Sequence, residues 1–454
     1  RLGRSRFEAW FAVSVLFSFT NFIERSFRIR SDTVAVFFAT AAAFVAVRGE
    51  GPGRAFLAGL LAGGAFLSTQ KAVYPLAALG LAFAVSGLGF FPVRRQLARL
   101  GGYAGGVMAA LLAYGIWFDL RNPLRVLSMV FLSPLHFAPL HGNPFYAGIR
   151  GLYVPQTLER NPVPYALAAI GLTLVLARIR SAASRVRLAA VSAAIVTLLV
   201  FLHEQPWPYV FVMALPLLSV FAPEALSWLE ARASGRGPYV RLAACALLMW
   251  QLPRNLAYLG HDNGVQNEVV GYAERLLGRD DRYFDGIGMV PTRYPAQPVS
   301  WEALVLEEVR AELARGDDSS IRRILDSRPK LWILNYRVHA LREYLPRLLD
   351  PSYVRVHPDV LLPGAFFRDA RPVTFVNRWP GRYRMFRPDG SPSGEPWSLD
   401  GRENGADGFV SVGPHEVVAS PATGSRYLLP VGTTFVMPLP VTLPLDDLFS
   451  GVYD

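Results

Sequence analysis

The sequence predicts a polytopic α-helical membrane domain, followed by an extracytoplasmic α/β unit and a small all-β sandwich. Strongly apolar stretches recur through roughly the first 260 residues, and short arginine-bearing loops separate them. After about Tyr258, charged residues, prolines and glycines increase and no further spanning stretch occurs. We therefore expect a membrane domain over residues 1–258, an α/β domain over 259–370 and a sandwich-like module over 371–454.

The membrane prediction rests on segments that form or anchor helices of about 20 apolar residues, the length that crosses the hydrocarbon core. Phe7–Ile23 is the first predicted span, and counting all of them gives about nine. Pro208 and Pro216 are expected to break or kink the helix near residues 203–222. The other apolar stretches are Leu57–Leu67, Ala72–Phe91, Val107–Trp117, Val163–Ala177, Leu188–Leu202, Tyr209–Val220 and Leu242–Leu252.

The arginines predict the topology, because positively charged loops stay on the cytoplasmic side. They cluster in alternate connections, around residues 1–6, 48–54, 94–99, 178–187 and 232–241. The remaining connections then face outward, and an odd number of spans places the C-terminal units outside the cytoplasm. The sequence therefore indicates a multi-pass membrane protein whose C-terminal units are extracytoplasmic.

The net charge of +11 is explained by these loops. A soluble protein this basic would suggest nucleic-acid binding, but here the arginines set topology and meet lipid head groups, so we expect membrane lipids and no nucleic acid as partners. The single cysteine, Cys245, lies in an apolar run and excludes an intrachain disulfide.

The residues suited to chemistry collect in three outward turns: Asn21–Asp32, Ser68–Lys71 and His203–Tyr209. A lysine in a tight turn between apolar helices needs an anionic partner or access to the interface. Lysine and arginine clusters of this kind suit a phosphate, although contact with lipid phosphates alone would also explain them. A fourth outward segment, Asp119–Pro162, is expected to form an interfacial helix and loop. Its His136 and His141 are poorly spaced as metal ligands.

The order of these features resembles the GT-C superfamily of integral-membrane glycosyltransferases, particularly the bacterial aminoarabinose transferases and the protein O-mannosyltransferase relatives. The resemblance covers about Arg1–Tyr258. It rests on Ile29-Arg-Ser-Asp32 before one span, on the small-residue helix Leu60-Leu-Ala-Gly-Gly-Ala-Phe-Leu-Ser-Thr-Gln-Lys71, and on His203, Pro208, Tyr209 and Pro216 around a later turn. The family carries its catalytic acid in a loop after a first span; aligned with it, the sequence starts near the third span, so we expect an N-terminal truncation.

The resemblance implies transfer of a sugar from a polyprenyl-phosphate carrier to a lipid, glycan or protein acceptor. Such chemistry requires a carboxylate that accepts the acceptor's proton and cations that stabilise the leaving phosphate. We take Asp32 and Glu24 as candidate catalytic carboxylates and Arg28, Arg30 and Lys71 as candidate phosphate ligands. Further site candidates are His203, Glu204 and Tyr209. No metal site or cofactor is assigned, although the resemblance leaves room for a divalent cation.

Two other functions fit the same sequence. A transporter or flippase for a lipid-linked envelope intermediate is the closer alternative, although paired acidic and basic residues do not occur in mid-span. A non-catalytic assembly or sensor protein is the other.

Overall fold

The computed structural model describes residues 5–26, 31–131, 149–203, 206–257, 264–285, 288–290, 292–296, 309, 312–335, 338–341, 343–349, 351–357, 359–369, 371–419 and 424–433. The chain forms two compact units, Arg1–Asp262 and Asn263–Asp454. It is mostly helical, with small sheets confined to the second unit.

The described part of the first unit is entirely helical. Its elements are α1 (Arg6–Ser18), α2 (Thr20–Ser26), α3 (Ser31–Val47), α4 (Pro52–Ser68), a 3₁₀ turn (Gln70–Ala72), α5 (Val73–Val85), α6 (Val93–Phe118), α7 (Pro123–Phe131), α8 (Ile149–Arg160), α9 (Pro162–Ala177), α10 (Ser184–Leu202), α11 (Pro208–Phe211), α12 (Leu215–Ser219), α13 (Ala222–Arg232) and α14 (Gly237–Ala257).

Two of the described helices, α6 and α10, are long and apolar enough to cross a membrane. A third candidate is the pair α8 and α9, which bends by 91° at a short break. Helix α3 and the segment Gln70–Val85 are also apolar but shorter. The lengths and composition of these helices are consistent with membrane association.

The surface of the first unit has the same character. Large apolar side chains are exposed along its helices, including Trp10, Trp117 and Trp250, which are 71%, 85% and 83% exposed. Among the described residues of the second unit, the exposed large apolar side chains are only Phe409, Val412 and Val431. A lipid environment accounts for this contrast, because it removes the cost of exposing such side chains to water.

The predicted continuous span Phe7–Ile23 is wrong in one respect, because the helix is divided at Phe19 into α1 and α2. Asn255 donates to the carbonyl oxygens of Phe17 and Ser18, at 3.2 and 2.9 Å. The amide of Thr20 donates to Asn161 Oδ1 at 2.6 Å. Polar side chains from distant helices therefore satisfy the backbone groups freed by the break, as a broken helix in an apolar environment requires.

The break expected in the stretch Tyr209–Val220 is present. The chain forms two short helices, α11 and α12, with a turn at Val212–Ala214 between them. Pro208 and Pro216 each lie in the first turn of their helix, where the missing amide hydrogen costs nothing.

Helices α4 and α6 pack closely through small residues spaced four apart. A Cβ added at Gly59 would collide with the carbonyl oxygen of Tyr103, and one added at Gly106 would collide with that of Phe56. Backbones approach this closely only where side chains are absent, a pattern typical of helix packing in membranes. This contact fixes α4, whose last residues lead into the turn that carries Lys71.

The second unit combines a mixed sheet with two antiparallel sheets. Its elements are α15 (Gly264–Leu276), β1 (Arg282–Phe284), β2 (Tyr294–Pro295), α16 (Ser319–Asp326), β3 (Leu331–Ile333), a 3₁₀ turn (Val338–Leu341), α17 (Leu345–Leu349), β4 (Tyr353–His357), β5 (Val360–Pro363), β6 (Ala365–Phe367), β7 (Val373–Asn377), β8 (Gly381–Phe386), β9 (Trp397–Leu399), β10 (Arg402–Asn404), β11 (Asp407–Val410), β12 (Gly413–Ala419) and β13 (Arg426–Pro430).

The mixed sheet has the strand order β2-β1-β3-β5-β4, with β1 parallel to both β2 and β3. The antiparallel sheets have the orders β10-β9-β12-β7 and β11-β8-β13-β6. Both contribute to one core, in which Phe375 and Trp397 from the first sheet pack with Tyr383 and Leu428 from the second. This arrangement is a small β-sandwich.

Apolar residues recur at helical spacing over residues 301–325, which predicts a single helix, but the helix is interrupted where the structure describes it. A turn at Arg315–Gly316 precedes α16, and Gly316 has a φ of +83°, which ends a helix. Asp317 then accepts a hydrogen bond from the amide of Ser319 at 3.0 Å. The glycine ends one helical segment and the aspartate side chain stabilises a turn before the next, and together they outweigh the apolar periodicity.

Asp359 makes the stability of the second unit depend on pH. It is 1% exposed, and burial raises the pKa of its carboxyl from 3.8 to about 6, although Arg355 opposes the shift. At pH 3 and below, the group is mostly protonated in both folded and unfolded chains. As the pH rises through 6, the folded chain must ionise a buried carboxyl, so the stabilisation is lost.

We therefore expect Asp359→Asn to match the wild type at pH 3 and to be more stable at pH 8, by about 2 to 3 kcal/mol. Burial also lowers the pKa of His357, which makes stability rise with pH. The wild type and the variant both contain this histidine, so its effect cancels in the comparison. Chemical unfolding of the second unit within the full chain measures the difference. Asp280→Asn, at an exposed position, is the control, and an equal gain there would contradict the assignment to Asp359.

Candidate functional site

Asp32 and Lys71 form an ion pair where two turns of the first unit meet. Asp32 lies in the first turn of α3 and is 2% exposed, and its Oδ1 is 3.4 Å from Lys71 Nζ. The positive end of the helix dipole favours a carboxylate at this position. A third of the Lys71 side chain is exposed.

Tyr209 also contacts Lys71. The Lys71 ammonium lies 3.5 Å from the centroid of the Tyr209 ring, in the geometry of a cation–π contact. Trp207 stacks beside Tyr209 with ring centroids 6.5 Å apart, and Tyr153 of α8 lies 5.5 Å from Trp207. Residues from all three polar turns identified in the sequence therefore lie together, with aromatic rings along one side.

His203 is held at the edge of this group by a residue that sequence analysis missed. The Tyr74 hydroxyl lies 2.9 Å from His203 Nδ1, so the two share a hydrogen bond whose direction depends on the histidine tautomer. Tyr74 lies in the first turn of α5, three residues after Lys71. The pair links the end of α10 to the turn that carries the lysine.

Glu24 is buried in α2, with 5% of its surface exposed. The position of α2 is fixed by Asn21, whose amide nitrogen donates to Thr157 Oγ1 at 3.0 Å and to the carbonyl oxygen of Pro208 at 3.4 Å. Asn21 thus connects α2 with α8 and with the start of α11. Glu24 and Tyr209 are carried by elements that this hydrogen-bond network joins.

A cavity of about 290 Å³ adjoins Asp32. Its volume is at the lower end of the range of ligand pockets, roughly 300–1,000 Å³. Phe37 and Thr40 are exposed, so the cavity opens on the side of the first unit. Its lining is mainly apolar, and comprises Leu16, Phe22, Asp32, Thr33, Val36, Phe37, Thr40, Val212 and Pro216.

Several sequence-based candidates lie outside the described residues. These are Arg28, Arg30 and Glu204, together with His136 and His141 of the fourth outward segment. The candidates that the structure describes are Glu24, Asp32, Lys71, His203 and Tyr209, and direct contacts join Asp32, Lys71 and Tyr209. In the part of the chain that the structure describes, no three His, Cys, Asp or Glu side chains are arranged to hold a metal ion.

A serine, a histidine and an aspartate also meet on the β-sandwich. His415 Nδ1 is 2.8 Å from Asp400 Oδ2, and its Nε2 is 3.2 Å from Ser411 Oγ. However, Nε2 is also 3.0 Å from the carbonyl oxygen of Ser411. A carbonyl oxygen requires a proton on Nε2, which then cannot act as a base towards the hydroxyl. His415 connects the turns that carry Asp400 and Ser411, and we assign it no catalytic role.

The cavity and the aromatic neighbours of Lys71 were not predicted from the sequence. The position of Trp207 could have been predicted from the sequence, because an aromatic residue between two prolines at a predicted membrane edge is typical of an interfacial anchor. The indication for Tyr74, which follows Lys71 by three residues, was weaker. The lining of the cavity depends on how α1, α3 and α12 pack, which residue patterns do not specify.

Comparison with known proteins gives no functional assignment. A family model described as Domain of unknown function (DUF7056) matches residues 310–362, a stretch of the second unit that includes β3 and β4. No curated protein matches the sequence significantly.

Proposed function

We propose that the protein is a glycosyltransferase of the GT-C type, which moves a sugar from a polyprenyl-phosphate carrier to an acceptor at the outer face of a bacterial inner membrane. The observation that carries the proposal is the ion pair of Asp32 and Lys71 beside an apolar, laterally open cavity. A lipid phosphate donor has the same two parts, a charged head and an apolar chain. The described geometry offers a place for each.

In this proposal, the first isoprene units of the donor occupy the cavity below Asp32. The donor enters sideways from the bilayer past Phe37 and Thr40, so its chain never crosses water. Its phosphate then lies near the ammonium of Lys71, which Asp32 and the Tyr209 ring hold in position. Arg28 and Arg30 are proposed as further phosphate ligands.

The reaction forms a bond between the acceptor oxygen and the anomeric carbon of the sugar, and it breaks the bond from that carbon to the phosphate oxygen. A carboxylate accepts the proton of the acceptor hydroxyl, while Lys71 stabilises the charge that develops on the leaving polyprenyl phosphate. Asp32 fixes the position of the lysine, and Glu24 is proposed as a second carboxylate of the site. Glu204 and His203 remain candidates for contact with the sugar or the acceptor.

The proposed topology has about nine spans, including short and broken ones. Helix α3 has 17 residues, the lower limit for crossing the hydrocarbon core. The division of α1 from α2 and of α11 from α12 is compatible with spans that are interrupted where polar side chains satisfy the backbone. The 91° bend between α8 and α9 suits an interfacial helix that leads into a span.

Blocking the cavity tests the proposed donor site. We expect Val36→Trp to fill the cavity and to prevent photocrosslinking of α3 by a polyprenyl phosphate with a diazirine in its first isoprene units. Val34→Trp is the matched control, because Val34 is 48% exposed on the same helix and does not line the cavity. Equal crosslinking in the wild type and both variants would show that the polyprenyl chain of the donor binds outside this cavity.

Thiol labelling tests the proposed orientation of the second unit. In a Cys245→Ser background, Ser411→Cys, at an exposed turn of the sandwich, should react with a membrane-impermeant reagent in intact spheroplasts. Ser181→Cys lies exposed in an arginine-bearing connection and should react only after lysis. The reverse pattern would place the second unit in the cytoplasm and contradict the proposal.

A further inference from the structure

Two buried arginines lie at the end of the first unit that is remote from Asp32 and Lys71. Arg99 and Arg187 are only 2% and 7% exposed, and both contact the segment that ends α5 or follows it. Helix α5 starts beside Lys71 and is 13 residues long, so about 20 Å separates its two ends. The arginines therefore belong to a different site from the cavity.

Arg187 is anchored to the backbone. Its Nε donates to the carbonyl oxygen of Ser86 at 3.3 Å, and its Nη1 donates to that of Ala182 at 2.7 Å. Its guanidinium carbon lies 3.5 Å from the centroid of the Phe90 ring. These contacts orient the guanidinium of α10 against the turn after α5, but they do not neutralise its charge.

Arg99 lacks comparable hydrogen bonds. Its guanidinium lies 5.2 Å from the Phe83 ring and 5.0 Å from the Phe91 ring. Its Nε and Nη1 are buried and have no hydrogen-bond partner among the described residues. A buried guanidinium in this condition is costly, because it has lost water without gaining an acceptor.

The carboxylate of Glu50 could offset these charges, but both of its oxygens already accept hydrogen bonds. Glu50 Oε2 accepts a hydrogen bond from Arg95 at 2.8 Å, and its Oε1 accepts one from Ser184. The described ion pairs give Arg99 and Arg187 no carboxylate partner. An anion from outside the chain would supply the missing acceptors to Arg99 and would place a negative charge beside both guanidinium groups.

The turn itself indicates where that anion comes from. Leu88 and Phe90 are 64% and 46% exposed, next to the buried arginines. Exposed apolar side chains beside cations suit the boundary between head groups and acyl chains. A free anion in water would leave these side chains without a partner, whereas a phospholipid covers them with its acyl chains.

We propose that Arg99 and Arg187 bind the phosphate of an anionic phospholipid, at the opposite end of the helices from the cavity. The planar guanidinium groups match phosphate oxygens, and the Phe90 and Phe91 rings contact the start of the acyl chains. Bound lipid would join α5, α6 and α10 at one end of the first unit. The proposal is independent of any chemistry at Asp32.

Lipid titration of the purified full chain in detergent tests the site without any substitution. Phosphatidylglycerol should raise the thermal unfolding midpoint in a saturable way, whereas inorganic phosphate and uncharged diacylglycerol should not. An equal rise with inorganic phosphate would show that a free anion fills the site and would overturn the lipid assignment. An equal rise with diacylglycerol would overturn the role of the arginines.

Substitution then assigns the effect to the arginines. Arg99→Gln and Arg187→Gln should each weaken phosphatidylglycerol binding about tenfold, measured by native mass spectrometry on the folded protein. Arg94→Gln and Arg185→Gln remove exposed arginines from the same two helices and should leave binding unchanged. Arg99→Lys keeps the charge but loses the planar fork, and should fall between Arg99→Gln and the wild type. Equal binding by all variants would overturn the proposal.

Discussion

Asp32→Asn should lower the turnover of sugar transfer about a hundredfold in the full-length protein, because the amide cannot hold the Lys71 ammonium against the developing charge. The Michaelis constant for the donor should stay the same or fall. Without the competing carboxylate, the lysine attracts the donor phosphate at least as strongly as before. A fall in kcat without a rise in KM distinguishes this role from loss of a binding contact.

Asp119→Asn is the control for this substitution. Asp119 lies on a connection that the arginine pattern places on the same side of the membrane, and it accepts hydrogen bonds from the amides of Arg121 and Asn122, both at 3.0 Å. Its asparagine variant should turn over normally. Near-normal turnover by Asp32→Asn as well would leave Asp32 as a partner of the lysine with no part in the reaction.

Lys71→Met should raise the donor KM between about tenfold and a hundredfold, because a charge-assisted contact with the phosphate is lost. It should also destabilise the protein, since the buried carboxylate of Asp32 loses its ion pair with Lys71. Arg121→Met removes an exposed arginine from the same predicted side and should change neither quantity. Unchanged donor affinity in Lys71→Met would reduce Lys71 to an interfacial lysine that contacts lipid phosphates.

The double variant Asp32→Asn/Lys71→Met separates folding from function. Removing both charges should restore stability, because the buried charge that Asp32 would keep after the loss of Lys71 is removed as well. Donor affinity should stay low, because the phosphate still lacks its cation. Recovery of both properties together would mean that Lys71 acts only by supporting the fold.

The positions of the polar turns were predictable, whereas their contacts were not. A lysine in a short turn between apolar stretches marks a helix boundary, and Lys71 does lie in a 3₁₀ turn between α4 and α5. The ring of Tyr209 at 3.5 Å from its ammonium depends on how α11 packs, and no spacing in the sequence encodes that. Proximity between residues more than a hundred positions apart arises from tertiary packing alone.

Helix continuity was the weakest part of the sequence interpretation. The apolar run Phe7–Ile23 reads as one span, yet it breaks at Phe19 because Asn161 and Asn255 offer its backbone other partners. Those asparagines are buried and distant in sequence. Proline gave a usable signal at Pro216, because its effect on a helix is local. The burial of Arg99 and Arg187 was not predicted, because the sequence pattern indicates only that arginines in these loops set the topology and meet lipid head groups.

The most direct test follows the fate of a polyprenyl-phosphate sugar in proteoliposomes that contain the full-length protein and membrane acceptors, with label on the sugar. We expect the label to move to an acceptor, polyprenyl phosphate to accumulate, and both to fall about a hundredfold in Asp32→Asn. Passage of the intact labelled donor from one leaflet to the other, with no polyprenyl phosphate released, would contradict a transferase and identify a flippase.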